Sequence, residues 1–254
     1  GFYLHYQCSN NTFAGNNVTT YGTDSRAVDV YDDNFNSDYN NVENNRISTV
    51  GASIGMTLTE LEFSSVSSNI INTNGYGIYI HSSRNNTFTN NTIFTRGTDN
   101  NGLRIFGSSY GNIFSEHTIT TEDDSVYLDG LQGPTHDNIL KNSIITNQTT
   151  TNLYAYQNAS ITFLNTTFNQ SSVVFGPGIN NLTVQWYVKI NVTNTTGTVD
   201  SASVNMTDMN NLSVISISTD VDGLTGWNPV TEKIMTETGT ESKNNHTLNV
   251  SKAG

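Results

Sequence analysis

Short apolar segments recur along the first 180 residues, and apolar and polar residues alternate within each segment. The segment Gly102–Ile105 is typical, because Arg104 separates Leu103 from Ile105. Alternation with a period of two predicts a β-strand with one buried face. The segments are too short for helices, so we expect an all-β fold.

One phrase returns at regular intervals. It reads NTFTNNTI at Asn86–Ile93, NIFSEHTI at Asn112–Ile119 and NILKNSI at Asn138–Ile144. Copies about 26 residues apart are typical of a solenoid. Each period holds three apolar segments, which predicts three strands per turn, stacked in parallel. We therefore predict a parallel β-helix of about seven to eight coils.

Asparagine marks one turn of each predicted coil, just before the third apolar segment. The position is filled by Asn45, Asn69, Asn91, His117, Asn142 and Asn165. Asparagine tolerates the left-handed backbone, and its side chains can hydrogen bond along a stack. Because the position recurs in every coil, a structural role is favoured over a binding site.

The repeated phrase, over residues 1 to about 180, resembles right-handed parallel β-helix repeat proteins. It is most similar to the NosD-like proteins, with PbH1 repeats, that are common on archaeal cell surfaces. The resemblance implies a right-handed coil and says little about chemistry. The copper association of the NosD name finds no paired ligands, because the histidines are not spaced in pairs.

The period ends after Gly176–Gly178, and the following segments are longer. Leu182–Val192, Ala202–Met206 and Ser213–Ile217 alternate and are separated by turn residues. This pattern predicts a small β-sandwich. It resembles carboxypeptidase-regulatory-like and transthyretin-like Ig folds. We predict a β-helix over 1–179 and a sandwich, truncated at its end, over 180–254, with the chain a mature form or a fragment of a longer protein.

Composition narrows the choice of partners. Only 13% of residues are charged, and polarity comes from 38 Asn, 26 Ser and 37 Thr. The net charge of −12 argues against nucleic-acid binding and predicts repulsion of anionic polysaccharides unless cations bridge them. Cys8 is the single cysteine, so no internal disulfide can form.

Fifteen Asn-x-Ser/Thr sequons lie in the chain, nine of them between Asn147 and Asn211. They predict N-linked glycans and passage through a secretory route. The acceptor residues are Asn10, Asn17, Asn85, Asn90, Asn147, Asn158, Asn165, Asn169, Asn181, Asn191, Asn194, Asn205, Asn211, Asn245 and Asn249.

Two acidic clusters are candidates for chemistry. Asp123 and Asp124 precede a predicted strand and resemble the paired aspartates of polygalacturonase-like hydrolases, which act as acid and water activator. The rest of that family's motif is missing, so a solvated turn or a Ca²⁺ site is favoured. Asp29, Asp32 and Asp33 stand among aromatic residues and could also hold Ca²⁺, with an exposed acidic loop as the alternative.

A third candidate is His136 with Asp137, at the end of the inserted loop 130–137. Inserted loops often carry sites on solenoids, and His136 could act as a base oriented by Asp137. Adjacent residues seldom face one another, which favours a structural role. Arg104 and Lys141 are the basic residues of the central coils that lie close to acids in the predicted stack, and they add little to an enzyme hypothesis.

The interpretation favoured by these patterns is a secreted cell-surface structural glycoprotein without a catalytic site or cofactor. It would self-associate into a homo-oligomer, filament or surface layer, or serve as an adhesive spacer. The alternative is a carbohydrate-binding or polysaccharide-modifying β-helix of lyase or hydrolase type, with Asp123, Asp124 and the 130–137 loop as its site.

Overall fold

In a computed structural model, the protein is described over residues 1–5, 8–32, 39–147 and 151–252. This part of the chain forms 29 β-strands and one short 3-10 turn, Gln170–Ser172. Two compact units divide it, Gly1–Leu182 and Thr183–Gly254. Among the described residues, no helix is long and apolar enough to cross a membrane.

The first unit is a parallel β-helix whose strands form three sheets. The first sheet holds β1 Phe2–His5, β4 Arg26–Tyr31, β7 Ile54–Thr59, β10 Ile78–His81, β13 Leu103–Phe106, β16 Val126–Asp129, β19 Leu153–Tyr156 and β21 Val173–Phe175. The second holds β2 Thr12–Ala14, β5 Asn41–Glu43, β8 Ser65–Ser67, β11 Thr87–Thr89, β14 Ile113–Ser115, β17 Thr135–Lys141 and β20 Ala159–Leu164. The third holds β3 Asn17–Tyr21, β6 Arg46–Val50, β9 Ile70–Thr73, β12 Thr92–Thr95, β15 Thr118–Thr121 and β18 Ile144–Asn147. These strands make about seven coils and confirm the predicted parallel β-helix.

Identical positions of successive coils stack in the core. Ile78 pairs with Leu103, and Leu103 with Val126, in register. Phe88 and Phe114 stack with ring centroids 4.5 Å apart and an interplanar angle of 18°. Each apolar residue is therefore covered by its counterparts above and below, which removes it from water without any helix packing.

Two ladders of polar side chains run along the corners that flank the second sheet. The first ladder is Asn11, Asn40, Ser64, Asn86, Asn112 and Asn138, and the second is Asn16, Asn45, Asn69, Asn91, His117 and Ser143. In the second ladder, the Asn69 amide donates to Asn91 Oδ1 at 2.9 Å and to the Val42 carbonyl at 2.9 Å. The ladders satisfy buried backbone groups where the strands are interrupted.

The predicted asparagine column is wrong at two positions. Asn142 and Asn165 precede the ladder positions, in the left-handed region with φ of 50° and 49°, and they are exposed. Ser143 occupies the ladder position instead. The ladder position also determines which residues of the next strand point inward, because the residue two places after it is always an inward one. Ile145 is thus buried at 3% exposure, whereas Ile144 is 50% exposed.

Close packing at the start of the first-sheet strands requires glycine. A Cβ on Gly77 would lie 2.4 Å from both the Gly102 carbonyl oxygen and Ile93 Cγ2. Gly55 and Gly102 occupy the same place in neighbouring coils and face the same crowding. The first and third sheets approach each other closely here, and only a residue without a side chain fits.

The second unit is made of short, mainly antiparallel strands around a small apolar cluster. Its strands are β22 Asn181–Val188, β23 Thr193–Asn194, β24 Gly197–Thr198, β25 Ser203–Thr207, β26 Ser213–Ser218, β27 Asn228–Thr236, β28 Gly239–Ser242 and β29 Thr247–Ser251. β25 lies between β26 and β29, and β27 lies between β22 and β28. Met206, Ile215 and Val230 form the buried cluster, with Val188, Ile190 and Val214 packed against it.

Candidate functional site

Aromatic side chains line the outer face of the first sheet over coils four to seven. Two columns of outward residues run side by side along the coil axis. One column is Tyr79, Arg104, Tyr127 and Tyr154, and the other is His81, Phe106, Asp129 and Tyr156. With Tyr76, which precedes β10, we call these nine residues the aromatic face. All of them except Asp129 are partly exposed.

The strand geometry explains how the face arises. Residues 78, 80, 103 and 105 point into the core, so their neighbours 79, 81, 104 and 106 must point outward. Parallel in-register stacking then repeats each outward position at the strand separation of about 4.8 Å. Rings at equivalent positions of successive coils therefore lie one above another.

Arg104 is the centre of the first column. Its guanidinium carbon lies 4.8 Å from the ring centroid of Tyr76, 5.8 Å from that of Tyr79 and 4.9 Å from that of Tyr127. Arg104 Nη1 donates a hydrogen bond of 2.5 Å to the Tyr76 hydroxyl. Cation–π attraction of this kind holds the charge and the rings in one layer.

The remaining rings are also paired. Tyr127 stacks on Tyr154 with centroids 5.2 Å apart and an interplanar angle of 9°. His81 stacks on Phe106 with ring centroids 5.0 Å apart. His81 Nε2 lies 3.2 Å from Gln132 Oε1, in the loop that follows β16. Such stacking fixes the rings, so little side-chain entropy is left to lose when a ligand binds.

The ionisation of the face is set by burial. Burial raises the pKa of the Tyr79 phenol, which Arg104 partly offsets, and burial likewise raises the pKa of Tyr127. Both phenols therefore stay neutral and can donate hydrogen bonds. Asp129 is 5% exposed, and its Oδ1 accepts the Leu131 N–H at 2.9 Å.

A polar cleft of about 460 Å³ adjoins the face at the corner between the third and first sheets. Tyr76 is shared by the face and the cleft, which is also lined by Asp24, Arg26, Asp99 and Asn100. A ligand on the aromatic face could thus extend a polar branch toward this corner. Together the two surfaces offer flat apolar rings with hydroxyl, amide and charged groups around them.

Asp123 and Asp124 lie at the same corner, in the connection between β15 and β16. Burial, and then the nearby charges of Asp123 and Asp99, raise the pKa of Asp124 to about 6, against the opposing effect of a hydrogen bond from Thr151. This places three carboxyl groups near one another. The structure does not bring His136 or Asp137 to them, because β16 lies between the two corners.

His136 and Asp137 belong to the corner between the first and second sheets. They lie in β17, not in the preceding loop, which contradicts the predicted loop position. His136 Nδ1 is 2.8 Å from Asp137 Oδ2, and the His136 ring stacks on Tyr110 at 5.3 Å and 3°. Tyr110 in turn accepts a hydrogen bond of 3.1 Å from Arg84 Nη1.

That corner is therefore a continuous stack, Glu62, Arg84, Tyr110 and His136, with one member from each coil. Arg84 is ion-paired with Glu62. Arg84 also donates a hydrogen bond to Tyr110, and the His136 ring stacks on Tyr110, so each member contacts its neighbour in the stack. The contacts of His136 are those of a structural column.

Asp29 and Asp32 are buried in coil two, at 2% and 0% exposure. Asp29 Oδ2 lies 2.8 Å from Arg26 Nη1 and 3.3 Å from His5 Nε2, so it is held by a guanidinium and an imidazole. Asp33 lies outside the described residues. Within the described ranges, no group of three or more His, Cys, Asp or Glu side chains is arranged to hold a metal ion.

The sequon asparagines follow the backbone of the coil. Asn10, Asn85 and Asn158 adopt φ near 60° at one corner of the second sheet, and Asn90 and Asn165 do so at the other. In each of these five, the sequon is a left-handed residue, a ladder or buried position, and a Ser or Thr at or near a strand start. The described acceptors are exposed apart from half-buried Asn181, and the Asn147 side chain lies outside the description.

Sequence reasoning missed the aromatic face. It identified Arg104 only as one of few basic residues. Each first-sheet strand from β10 to β19 nevertheless carries one or two aromatic or arginine side chains on its outward side. The signal in the sequence is the presence of aromatic residues and arginine at these outward positions, where Thr, Ser or Asn would be enough for solubility.

The sequence matches a family of known proteins, and the fold is similar to that of solved structures. A family model described as "right handed beta helix region" matches residues 59–204. No curated protein matches the sequence.

Three solved structures are similar in fold. Geobacillus virus E2 ORF18 is 10% identical with a TM-score of 0.42, and the match covers 92% of this chain and 69% of that one. A tailspike mutant of E. coli bacteriophage HK620, solved with a hexasaccharide, is 12% identical with a TM-score of 0.37, over 97% and 55% of the two chains. The Pseudomonas phage phi297 tailspike gp61 is 10% identical with a TM-score of 0.26, over 91% and 60%. At these values none of the three informs the role of a particular residue.

Proposed function

Because the chain belongs to the right-handed β-helix family, and function belongs to the site that a fold carries and not to the fold itself, we propose from its site that the aromatic face binds a glycan chain. The observation that carries this proposal is the row of partly exposed rings around Arg104. A pyranose ring presents an apolar C–H face and a polar rim. Flat, neutral phenols beside amide and charged groups complement both parts.

The layout of the face favours an extended ligand. Tyr127 and Tyr154 lie in successive coils at the strand separation of about 4.8 Å, which is comparable to the length of one sugar residue along a chain. Tyr79 lies two coils before Tyr127, with Arg104 between them. Tyr79, Tyr127 and Tyr154 would each contact a different sugar. The contacts are individually modest, and their number gives the affinity.

The test is loss of binding on removal of single rings. A glycan array identifies a ligand, and calorimetry measures its affinity for Tyr127→Ala and Tyr154→Ala. We expect each to weaken binding about tenfold, since base stacking on a comparable ring is worth on the order of 1–3 kcal/mol. Tyr21→Ala is the matched control, because Tyr21 is a 74% exposed tyrosine on the third sheet. Equal affinities of all three variants and the parent would contradict the proposal.

We further propose binding without cleavage. Asp129 is the only carboxylic acid among the nine residues of the aromatic face, so the two columns hold no second carboxyl group. Its Oδ1 accepts a hydrogen bond from the Leu131 amide. Hydrolysis with retention or inversion normally needs two flanking carboxyl groups. Incubating the array ligand with the protein, with and without Ca²⁺, should give no shorter products by mass spectrometry. Product formation that Asp129→Asn or Asp123→Ala abolishes would favour the lyase or hydrolase alternative.

A second candidate function is structural. The two ladders and continuous parallel sheets favour a stiff, protease-resistant element of a secreted, cell-surface glycoprotein of archaeal NosD-like type. In that role the second unit, read as an Ig-like sandwich on its antiparallel sheets and apolar cluster, would be the linking module. Negative-stain electron microscopy of natively produced protein tests it: filaments or sheets are expected, and uniform monomers would contradict self-association.

A further inference from the structure

Arg104 differs from two other arginines of the first unit, Arg26 and Arg84, in what it contacts. Arg26 Nη1 lies 2.8 Å from Asp29 Oδ2, and Arg84 is ion-paired with Glu62. Within the described ranges, Arg104 has no carboxylate partner. Its polar contact is the Tyr76 hydroxyl, and its Nε is buried without a hydrogen-bond partner.

The surroundings of Arg104 attract a cation without neutralising it. Three tyrosine rings lie within 6 Å of the guanidinium carbon, and the raised pKa values of Tyr79 and Tyr127 keep those phenols uncharged. Holding a half-buried guanidinium without an anion is unfavourable, because part of its hydration is lost. The rings pack around the stem and leave the terminal nitrogens as the polar part of the site.

We propose that Arg104 is an anion-binding subsite, so that the glycan on the aromatic face is one whose sugars carry a carboxylate or sulfate group. The inference rests on the proposed glycan-binding function and specifies its ligand class. A planar guanidinium presents paired N–H donors that match either group, and an ammonium cannot do this. The flanking rings would hold the sugar while the arginine selects its acidic group.

Other charged groups near the face act on the same ligand. Asp129, in the neighbouring column, disfavours an anion, while Arg26 and Asp29 are paired with each other. The net charge of −12 acts from farther away and is screened beyond about 8 Å at physiological ionic strength. A direct contact with Arg104 can therefore outweigh the overall repulsion that the composition predicts.

The experiment compares matched acidic and neutral oligosaccharides. The probes are uronic-acid oligomers with their carboxyl-reduced counterparts, and sulfated oligomers with their desulfated counterparts. Calorimetry measures the affinity of each for the full chain, for Arg104→Gln and for Arg96→Gln. Arg96 is the matched control, because its guanidinium also packs over a ring, Phe94 at 4.5 Å, on the third sheet.

We expect the parent protein and Arg96→Gln to bind one acidic series at least tenfold more tightly than its neutral counterpart. Arg104→Gln should lose this preference and bind the acidic and the neutral oligomer with equal affinity, because the guanidinium that selects the acidic group is gone. The series that shows the preference identifies the anionic group. Arg104→Lys should recover only part of the preference, which separates loss of charge geometry from misfolding.

Three results are distinguishable. Equal affinity of the parent protein for acidic and neutral oligomers would overturn the anion subsite and leave the glycan-binding proposal standing. An acidic preference that survives in Arg104→Gln would also overturn it and place the subsite elsewhere. Absence of binding to every oligomer of the panel and the array would overturn the proposed function and the inference with it.

Substitution of Asp129 gives an independent test, with an expected change in affinity of the opposite sign. If an anion lies on Arg104, Asp129→Asn should raise the affinity for the acidic oligomer relative to that for the neutral one, because a nearby negative charge is removed while Asn keeps an acceptor for the Leu131 amide. A twofold to tenfold gain would support the subsite. A loss of affinity for the acidic oligomer alone would contradict it.

Discussion

Single residues in this β-helix are tuned by the coil above and the coil below. His117 illustrates this, because it takes a ladder position that asparagine fills in four of the other coils. Its Nδ1 lies 3.2 Å from the Asn91 amide nitrogen, and its Nε2 is buried without a hydrogen-bond partner in the described structure. Burial lowers the pKa of His117 to about 4.

His117 should make the fold sensitive to acid. The unfolded imidazole binds a proton near pH 6.5 and the folded one near pH 4, so the unfolded state is favoured as pH falls through this window. The loss approaches about 3 kcal/mol, since one pKa unit corresponds to about 1.4 kcal/mol. Urea unfolding at pH 7 and pH 4 should show a smaller difference for His117→Asn. An unchanged pH dependence in that variant would refute the assignment.

Asp124 should act in the opposite direction. Its carboxyl has a raised pKa, about 6 instead of 3.8, so the folded state holds the proton more tightly and stability falls as pH rises between these values. Asp124→Asn should therefore raise the melting temperature at pH 8 and leave it unchanged below pH 4. Asp222→Asn, an exposed aspartate of the second unit, is the control. A gain at both pH values would show that charge is not the cause.

At the scale of elements, the corners between strands decide whether the coils can stack. Strands of three or four residues form few backbone bonds each, and the ladders satisfy the groups that lie between them. Asn69 accepts from the Asn45 backbone amide at 3.0 Å and donates to the Val42 carbonyl at 2.9 Å. It also donates to Asn91 Oδ1 of the next coil at 2.9 Å, and so ties three successive coils together.

Removing one ladder side chain should cost more than removing an exposed one. Asn69→Ala leaves a buried amide and a buried carbonyl without partners, and each such group costs roughly 1–3 kcal/mol. Thr87→Ala, on the exposed side of β11, should change the free energy of unfolding by about 0.5 kcal/mol or less. Chemical denaturation of the two variants compares them directly. Similar values for both would mean that water replaces the ladder bonds.

At the scale of the whole molecule, no sequon asparagine lies within a strand that carries the aromatic face. The described strands of the first sheet contain no sequon asparagine, whereas Asn85 and Asn90 flank β11 of the second sheet. Asn158, just after β19, is the acceptor nearest the face in sequence. N-glycans on Asn85, Asn90 and Asn165 would therefore cover the corners of the second sheet, whereas those on Asn147 and Asn169 would lie at the corner between the third and first sheets.

This separation predicts that N-glycans and ligand binding are independent. Peptide mapping of natively produced protein should find glycans at Asn85, Asn90 or Asn194, and enzymatic removal should lower the mass while the affinity for the array ligand changes less than twofold. A protein without any glycan would refute the secretory prediction. A large change in affinity after removal would mean that glycans reach the face.

The sequence by itself determined the coil: three strands per turn, parallel stacking and the inward positions, since each depends on a local pattern of period two and a repeated turn. The sequence did not determine which outward side chains of the first sheet lie next to one another in successive coils. In-register partners of the first sheet are unevenly spaced, as Val28 pairs with Met56 and Met56 with Ile78, because the connections differ in length. Only the tertiary structure places Tyr79, Arg104 and Tyr127 in one column, and it moves the ladder from Asn142 to Ser143. Outward side chains are not constrained by burial, so their pattern carries no period that a sequence reading can extract.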